Sequence, residues 1–296
     1  MALTRRVVAA SAATSLVLAG CGLGQPEQKA WPKSSSIFDA TTALPPTKVT
    51  TTTKPAVALP VSGPWVSITS GAFPKDQDGW AYGVEPAPGI AAFQTKSNGE
   101  LGGCTISFPV SDRKGTVAFL SAGHCDNRNG ERLFMYTTGD NSGTLELGDY
   151  QQGKNDVEIG APDVPIPGAT SRDYTVLTMG PQLYRGYGTA IVPGIRLRGT
   201  MPMSAVRALP AGTTICRHGA RTGVTCGRLI QANERDFTWG ARSIKGDSGG
   251  PVFVVNAAGE ALGVGITSAL GADGTSSIGT YLDPALKSLG LDLVLA

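Results

Sequence analysis

The chain has 296 residues and a formal net charge of +2, from 25 Lys and Arg against 23 Asp and Glu. That balance gives no reason to propose nucleic acid or a polybasic membrane patch as a partner. With 40 glycines but only two histidines, any chemistry that needs an imidazole rests on His124 or His218.

In chain order, Arg5 and Arg6 precede an apolar run over residues 7–19, the layout of an export signal and too short to span a bilayer. The run ends in Leu18-Ala19-Gly20-Cys21, which resembles the bacterial lipobox. Residues 1–20 are therefore expected to be removed and Cys21 to carry a lipid, anchoring the protein at the outer face of a bacterial membrane; an ordinary signal with a chance cysteine is the alternative. Residues 21–64 are rich in Pro, Thr, Ser and Lys and read as an extended tether. Residues 65–98 add Trp65, Phe73, Trp80, Tyr82 and Phe93, an N-terminal extension able to wrap the domain behind it.

Residues 99–296 suffice for one good-sized core or two small ones. Short apolar runs at 104–110, 116–120, 175–179, 189–192, 195–197, 251–255 and 262–266, punctuated by Gly and Pro, predict an all-β domain. Only 284–295, with Leu286, Leu289 and Leu293, has helical spacing. Cys21 aside, four of the five cysteines remain, and in an exported protein they are expected to pair. Of three connectivities, Cys104–Cys125 with Cys216–Cys226 is the local choice. The spacings do not suit zinc, so no metal is expected.

Two motifs carry chemistry. Gly246-Asp247-Ser248-Gly249-Gly250-Pro251 presents a hydroxyl among residues too small to shield it, and its glycines allow turns that aim the amides of Gly246 and Ser248 into one hollow. Serine needs a base, and His124 lies in Ser121-Ala122-Gly123-His124-Cys125 after an apolar strand. In this order the motifs resemble those of chymotrypsin-fold (trypsin-like) serine peptidases. The stretch Cys216-Arg217-His218-Gly219, then Thr222-Gly223, then Cys226-Gly227 resembles the streptogrisin and α-lytic endopeptidase branch.

The resemblance implies two antiparallel β-barrels with the active site in the cleft between them, and a short C-terminal helix. It implies His124 as base, Ser248 as nucleophile and Gly246 with Ser248 as oxyanion hole. Asp173, in Asp173-Tyr174-Thr175-Val176-Leu177, fits the family's acid pattern. Asp156 is the runner-up, and Asp149 and Asp163 also lie between the motifs. Arg217 matches the internal arginine that pairs in that branch with the aspartate before the nucleophile, here Asp247. By the family pattern Thr267, Ser268, Ala269 and Leu270 wall the primary pocket with Arg242 near its base. Arg242 argues against cleavage after Lys or Arg and Leu270 narrows the pocket, so small or medium apolar side chains are expected. The branch's third disulfide is absent. His218 stands where the branch has serine and reads as a surface loop residue, with a part in selectivity as the alternative. A monomeric, cofactor-free, lipid-anchored endopeptidase acting on peptide or protein is the expectation; a catalytically silent binding lipoprotein of the same fold is the alternative.

Overall fold

The computed structural model describes residues 61–69, 71–128, 130–155, 171–180 and 186–295. The expected export signal, Cys21 and all but the end of the tether lie outside the described residues.

The N-terminal half is built from β1 (Ala91–Thr95), β2 (Leu101–Thr105), β3 (Pro109–Ser111), β4 (Val117–Ser121), β5 (Phe134–Tyr136), β6 (Thr144–Glu146), β7 (Tyr150–Asn155) and β8 (Asp173–Leu177). One sheet runs β2-β1-β5-β6; in the other, β3, β4, β8 and β7 lie side by side. Two bent stretches join them. Ile106 donates its amide to Ile90 on one side, and Ser107 donates to Leu120 on the other. Leu147 and Gly148 bridge in the same way to Leu133 and Thr178. The predicted strand at 104–110 is thus divided at a corner, which lets the two sheets come round on a shared core of Ile90, Ile106, Phe119, Leu133, Met135 and Leu177.

The C-terminal half comprises β9 (Arg196–Thr200), the short helix α1 (Met203–Arg207), β10 (Thr214–Gly219), β11 (Gly223–Ala232), β12 (Phe237–Trp239), β13 (Pro251–Val255), β14 (Glu260–Leu270) and β15 (Ser277–Tyr281). After these come α2 (Leu282–Leu289) and β16 (Asp292–Leu293). The order β13-β10-β11-β12-β15-β14 closes through β13–β14 pairing, so six strands form a complete barrel with no free edge. β9 adds to β14 in parallel. Another core joins the halves: Phe108, Val110, Leu120 and Val176 pack with Cys216, Phe253, Ile266 and Leu282 of α2. The architecture is all-β with a short C-terminal helix, as expected.

Three expectations need correction. The run 189–192 forms no strand and supplies only an isolated bridge from Val192 to Ile195. The helix is shorter than 284–295 suggests: Gly290 takes a left-handed φ of 67°, the usual way to end a helix. Leu293 then pairs with Val110 as part of β16. Finally, β1 falls before residue 99 and pairs along its length with β2, so the sheets begin inside the stretch read as an extension.

Glycine does specific work in the closed barrel. Gly279 is the cross-strand partner of Phe237, whose ring occupies the space that a Cβ at Gly265 or Gly279 would need. Phe237 also lies tilted against Tyr281, with ring centroids 5.2 Å apart. Gly279→Ala is expected to force this ring from its place and cost about 1–3 kcal/mol. Thermal unfolding of the variant checks it.

Candidate active site

β4 ends at Ser121, and the chain turns through a 3-10 segment, Gly123–Cys125, that presents His124. A Cβ at Gly123 would overlap the Lys154 carbonyl, so the turn packs this close to β7 only because that residue is glycine. β4 pairs with β8, Ser121 opposite Thr175, which sets Asp173 beside the turn. Asp173 grips the histidine at two points. The His124 amide donates to Oδ1 at 2.9 Å, and Nδ1 lies 2.8 Å from Oδ2. An ionised carboxylate only accepts, so Nδ1 carries the proton and Nε2 is left as the basic nitrogen. Asp173 is 1% exposed, and the Ser268 hydroxyl also donates to its Oδ2. The disulfide Cys104–Cys125 fastens the turn to the end of β2.

The second motif sits in the other half. Arg217 and Asp247 form an ion pair at 3.1 Å with both side chains 0% exposed. Asp247 also accepts the amides of Arg221 and Thr222 on Oδ1 and the Ile244 amide and Thr222 hydroxyl on Oδ2. Arg217 Nη2 donates to Thr222 Oγ1 and to the Arg242 carbonyl. Burial pulls the Arg217 pKa down and the Asp247 charge pushes it back up. The Thr105 hydroxyl donates to the Gly246 carbonyl at 2.8 Å, and the Thr105 amide donates to the Ser248 carbonyl at 2.8 Å. Gly246 and Gly249 take φ of 103° and 88°, and a Cβ on Gly249 would collide with Ser121. The amides of Asp247, Gly249 and Gly250 are all spent on carbonyls, whereas those of Gly246 and Ser248 donate to nothing among the described residues. Two unspent donors flanking one residue are what an oxyanion requires. No hydrogen bond joins Ser248 Oγ to His124 among the described residues; such bonds are often long before substrate binds.

The expected pocket residues divide. Ser268 is not in the pocket wall: it sits at a bulge in β14, between Thr267 and Ala269, and its side chain faces Asp173. Thr267 is buried, Ala269 half-buried and Leu270 exposed at 44%. Arg242 is exposed. Asp156 and Asp163 lie outside the described residues. Asp149 accepts the Thr178 hydroxyl. Cys216–Cys226 is bonded across β10 and β11. Cys104, His124 and Cys125 form the one His, Cys and carboxylate grouping tight enough for a metal among the described residues, and its two sulfurs are bonded to each other. The sequence reading missed Thr105 as a tie between the halves; a threonine beside a cysteine carries no signal of that kind.

No protein-family model matches the chain. It is 45% identical over 60 residues to uncharacterised proteins from two strains of Mycobacterium tuberculosis, covering 20% of this chain and 27% of each relative. The chain thus spans about a quarter of the length of those relatives. Among solved structures it is similar to Thermobifida fusca protease A, with 22% identity, 71% of this chain, all of that one and a TM-score of 0.44. A glutamic-acid-specific serine protease matches at 20% identity over 70% of this chain and all of its own, TM-score 0.46. Cellulomonas bogoriensis chymotrypsin matches at 20% identity over 73% of this chain and all of its own, TM-score 0.43.

His218 overturns its sequence reading. It is not on a surface loop but in β10, 0% exposed, with Phe73 stacked on its ring at 5.6 Å and Nδ1 2.8 Å from the Ile191 carbonyl. The segment before β1 covers this face of the barrel, which no local pattern around residue 218 announces. Nδ1 must donate to that carbonyl, so Nε2 is the bare nitrogen, and it has no partner. Burial, helped by the charges of Lys75 and Arg217 and opposed by the Ile191 hydrogen bond and by Asp247, lowers the pKa to about 4 from 6.5. The unfolded chain therefore binds a proton here that the folded one refuses. Its contribution is complete above pH 6.5 and is lost as pH falls towards 4, by about 3 kcal/mol at 1.36 kcal/mol per unit. Unfolding midpoints in denaturant across that window are expected to fall more steeply for the wild type than for His218→Ser.

Proposed function

We propose that this chain is an exported serine endopeptidase that hydrolyses peptide bonds through an acyl-enzyme. The observation that carries the reading is the two-point grip of buried Asp173 on His124, which leaves Nε2 as a base. The unspent amides of Gly246 and Ser248 support it. In this reading Nε2 takes the Ser248 proton as the hydroxyl attacks a substrate carbonyl, and the amides of Gly246 and Ser248 hold the oxyanion. The imidazolium, stabilised by Asp173, then protonates the leaving amine. Water enters, gives its proton to Nε2 and releases the acid by the same steps in reverse. Ser268 holds the carboxylate from behind, so three donors together keep Asp173 aimed at the ring. Beyond Thr267, where its bonds to Gly249 and Gly250 end, β14 runs on over residues 268–270 paired, among the described residues, only with β15, and this overhang is suited to receive an extended substrate backbone as an added strand, with exposed Leu270 narrowing the primary pocket to small or medium apolar side chains.

Two disulfides suit an oxidising compartment, consistent with export directed by residues 1–20. The Leu-Ala-Gly-Cys ending supports a lipid on Cys21, with residues 21–64 as the spacer from the membrane. Treatment of the chain with a fluorophosphonate is expected to add one adduct by intact mass, absent from Ser248→Ala and His124→Ala. An unlabelled wild type favours the silent binding module. Asp173→Asn is expected to be slowed by about 10⁴, since the wrong tautomer turns a proton towards the nucleophile; labelling rates check it.

A further inference from the structure

We infer that Trp80, in the segment ahead of β1, is a positioning residue that braces the oxyanion loop, so this segment is a working part of the peptidase domain. The inference rests on the serine peptidase reading and assigns to residues 65–90 a role in it.

The geometry begins with a local turn. Asp76 Oδ1 accepts the amides of Asp78 and Trp80 at 2.9 and 2.8 Å, and Gly79 supplies the φ of 80° that closes it. Lys75 and Ala81 then face each other as an antiparallel bridge. The turn is fixed to the C-terminal barrel on both arms: Lys75 Nζ and the Ala81 amide both donate to the Ala220 carbonyl, at 2.6 and 2.8 Å. Its tip delivers the Trp80 indole between the two halves. A Cβ on Gly246 would lie 2.5 Å from Trp80 Cη2 and 2.8 Å from Arg221 Cγ, and a Cβ on Gly103 would lie 2.5 Å from Cη2. The indole therefore rests directly on the backbone of Gly246, the residue whose amide is unspent, and on the strand next to Cys104. The Arg221 guanidinium lies over the ring at 4.6 Å, and Phe93 meets it edge-on at 5.0 Å.

The loop is gripped elsewhere through its carbonyls, through the Gly249 amide on the Thr267 carbonyl and through Asp247. Thr105 holds the Gly246 carbonyl, and the Arg221 amide holds Asp247. Among the described residues no hydrogen bond sets the plane of the peptide that carries the Gly246 amide, and a glycine there has wide conformational freedom. The indole fills the space where a Gly246 side chain would stand, and so holds in place one of the two Cα atoms that this peptide spans. Packing against a rigid ring thus does the work that a hydrogen bond cannot, because a bond to this amide would consume the donor the reaction needs.

The test uses the full chain and four proteins: wild type, Trp80→Ala, Trp80→Phe and Ser248→Ala as the blank. The probes are a fluorophosphonate, read as the rate of adduct formation, and p-nitrophenyl acetate, read as kcat and KM. Trp80→Ala is expected to label at least about tenfold more slowly, a part of the 10²–10³ lost when an oxyanion donor is removed outright. The loss is expected in kcat rather than KM, and Trp80→Phe, which keeps a flat ring, is expected to recover most of it. The inference is overturned if Trp80→Ala labels at the wild-type rate, or if both variants slow alike and in step with their melting temperatures. A wild type that does not label overturns the peptidase reading and the inference together; a wild type that labels beside an equally reactive Trp80→Ala overturns the inference alone.

Discussion

The ion pair between Arg217 and Asp247 sets the conformation of residues 244–250, and with it everything that loop presents. Neither charge reaches solvent, so each is held by what surrounds it. Asp247 meets four hydrogen-bond donors besides the guanidinium, enough to satisfy a buried carboxylate. Arg217 is less well served, since its Nε has no partner. Breaking such a pair from one side leaves an uncompensated buried charge, typically at about 3–5 kcal/mol. The pair also has a local consequence. Asp247 draws the amides of Ile244, Arg221 and Thr222 to one carboxylate, while its neighbours on either side, Gly246 and Ser248, keep amides that donate to nothing among the described residues.

The two halves of the fold contribute unlike things to the site. The N-terminal half supplies His124 already oriented by Asp173, because β4 and β8 are paired neighbours and their ends lie together. The C-terminal half supplies Ser248 on the loop that joins β12 to β13, both strands of a closed barrel. They are joined by an apolar core shared across both halves and by small polar ties, of which Thr105 is the most used. Its amide, carbonyl and hydroxyl reach Ser248, Ser121 and Gly246 respectively, and the hydroxyl also accepts the Ala220 amide. A single buried residue thereby links the strand behind the histidine to the loop of the serine.

The segment before β1 belongs to this system. Trp65 bridges to Asn256 and Val66 donates to Val255; further along, Phe73 covers His218 and Trp80 reaches the oxyanion loop. These contacts run along β10, which carries Arg217, along β13 and the turn after β10, and reach the loop that carries Asp247.

Short-range chemistry was legible in the order of the residues. Gly-Asp-Ser-Gly-Gly and Ala-Gly-His-Cys named the residues of the candidate site, apolar runs between glycines and prolines named the β class, and an even cysteine count in a chain read as exported led to both disulfides. Whatever depends on partners distant in the chain needed the folded molecule. Ser268 turns to Asp173 because β14 passes behind the histidine. His218 is buried because Phe73, far upstream, lies on it. The strand at 104–110 bends because two sheets must share one core, and Trp80 matters because folding sets it on Gly246. Each of these is a contact between residues with no periodic or spacing relation, so the information lies in the packing and not in any local pattern of residues.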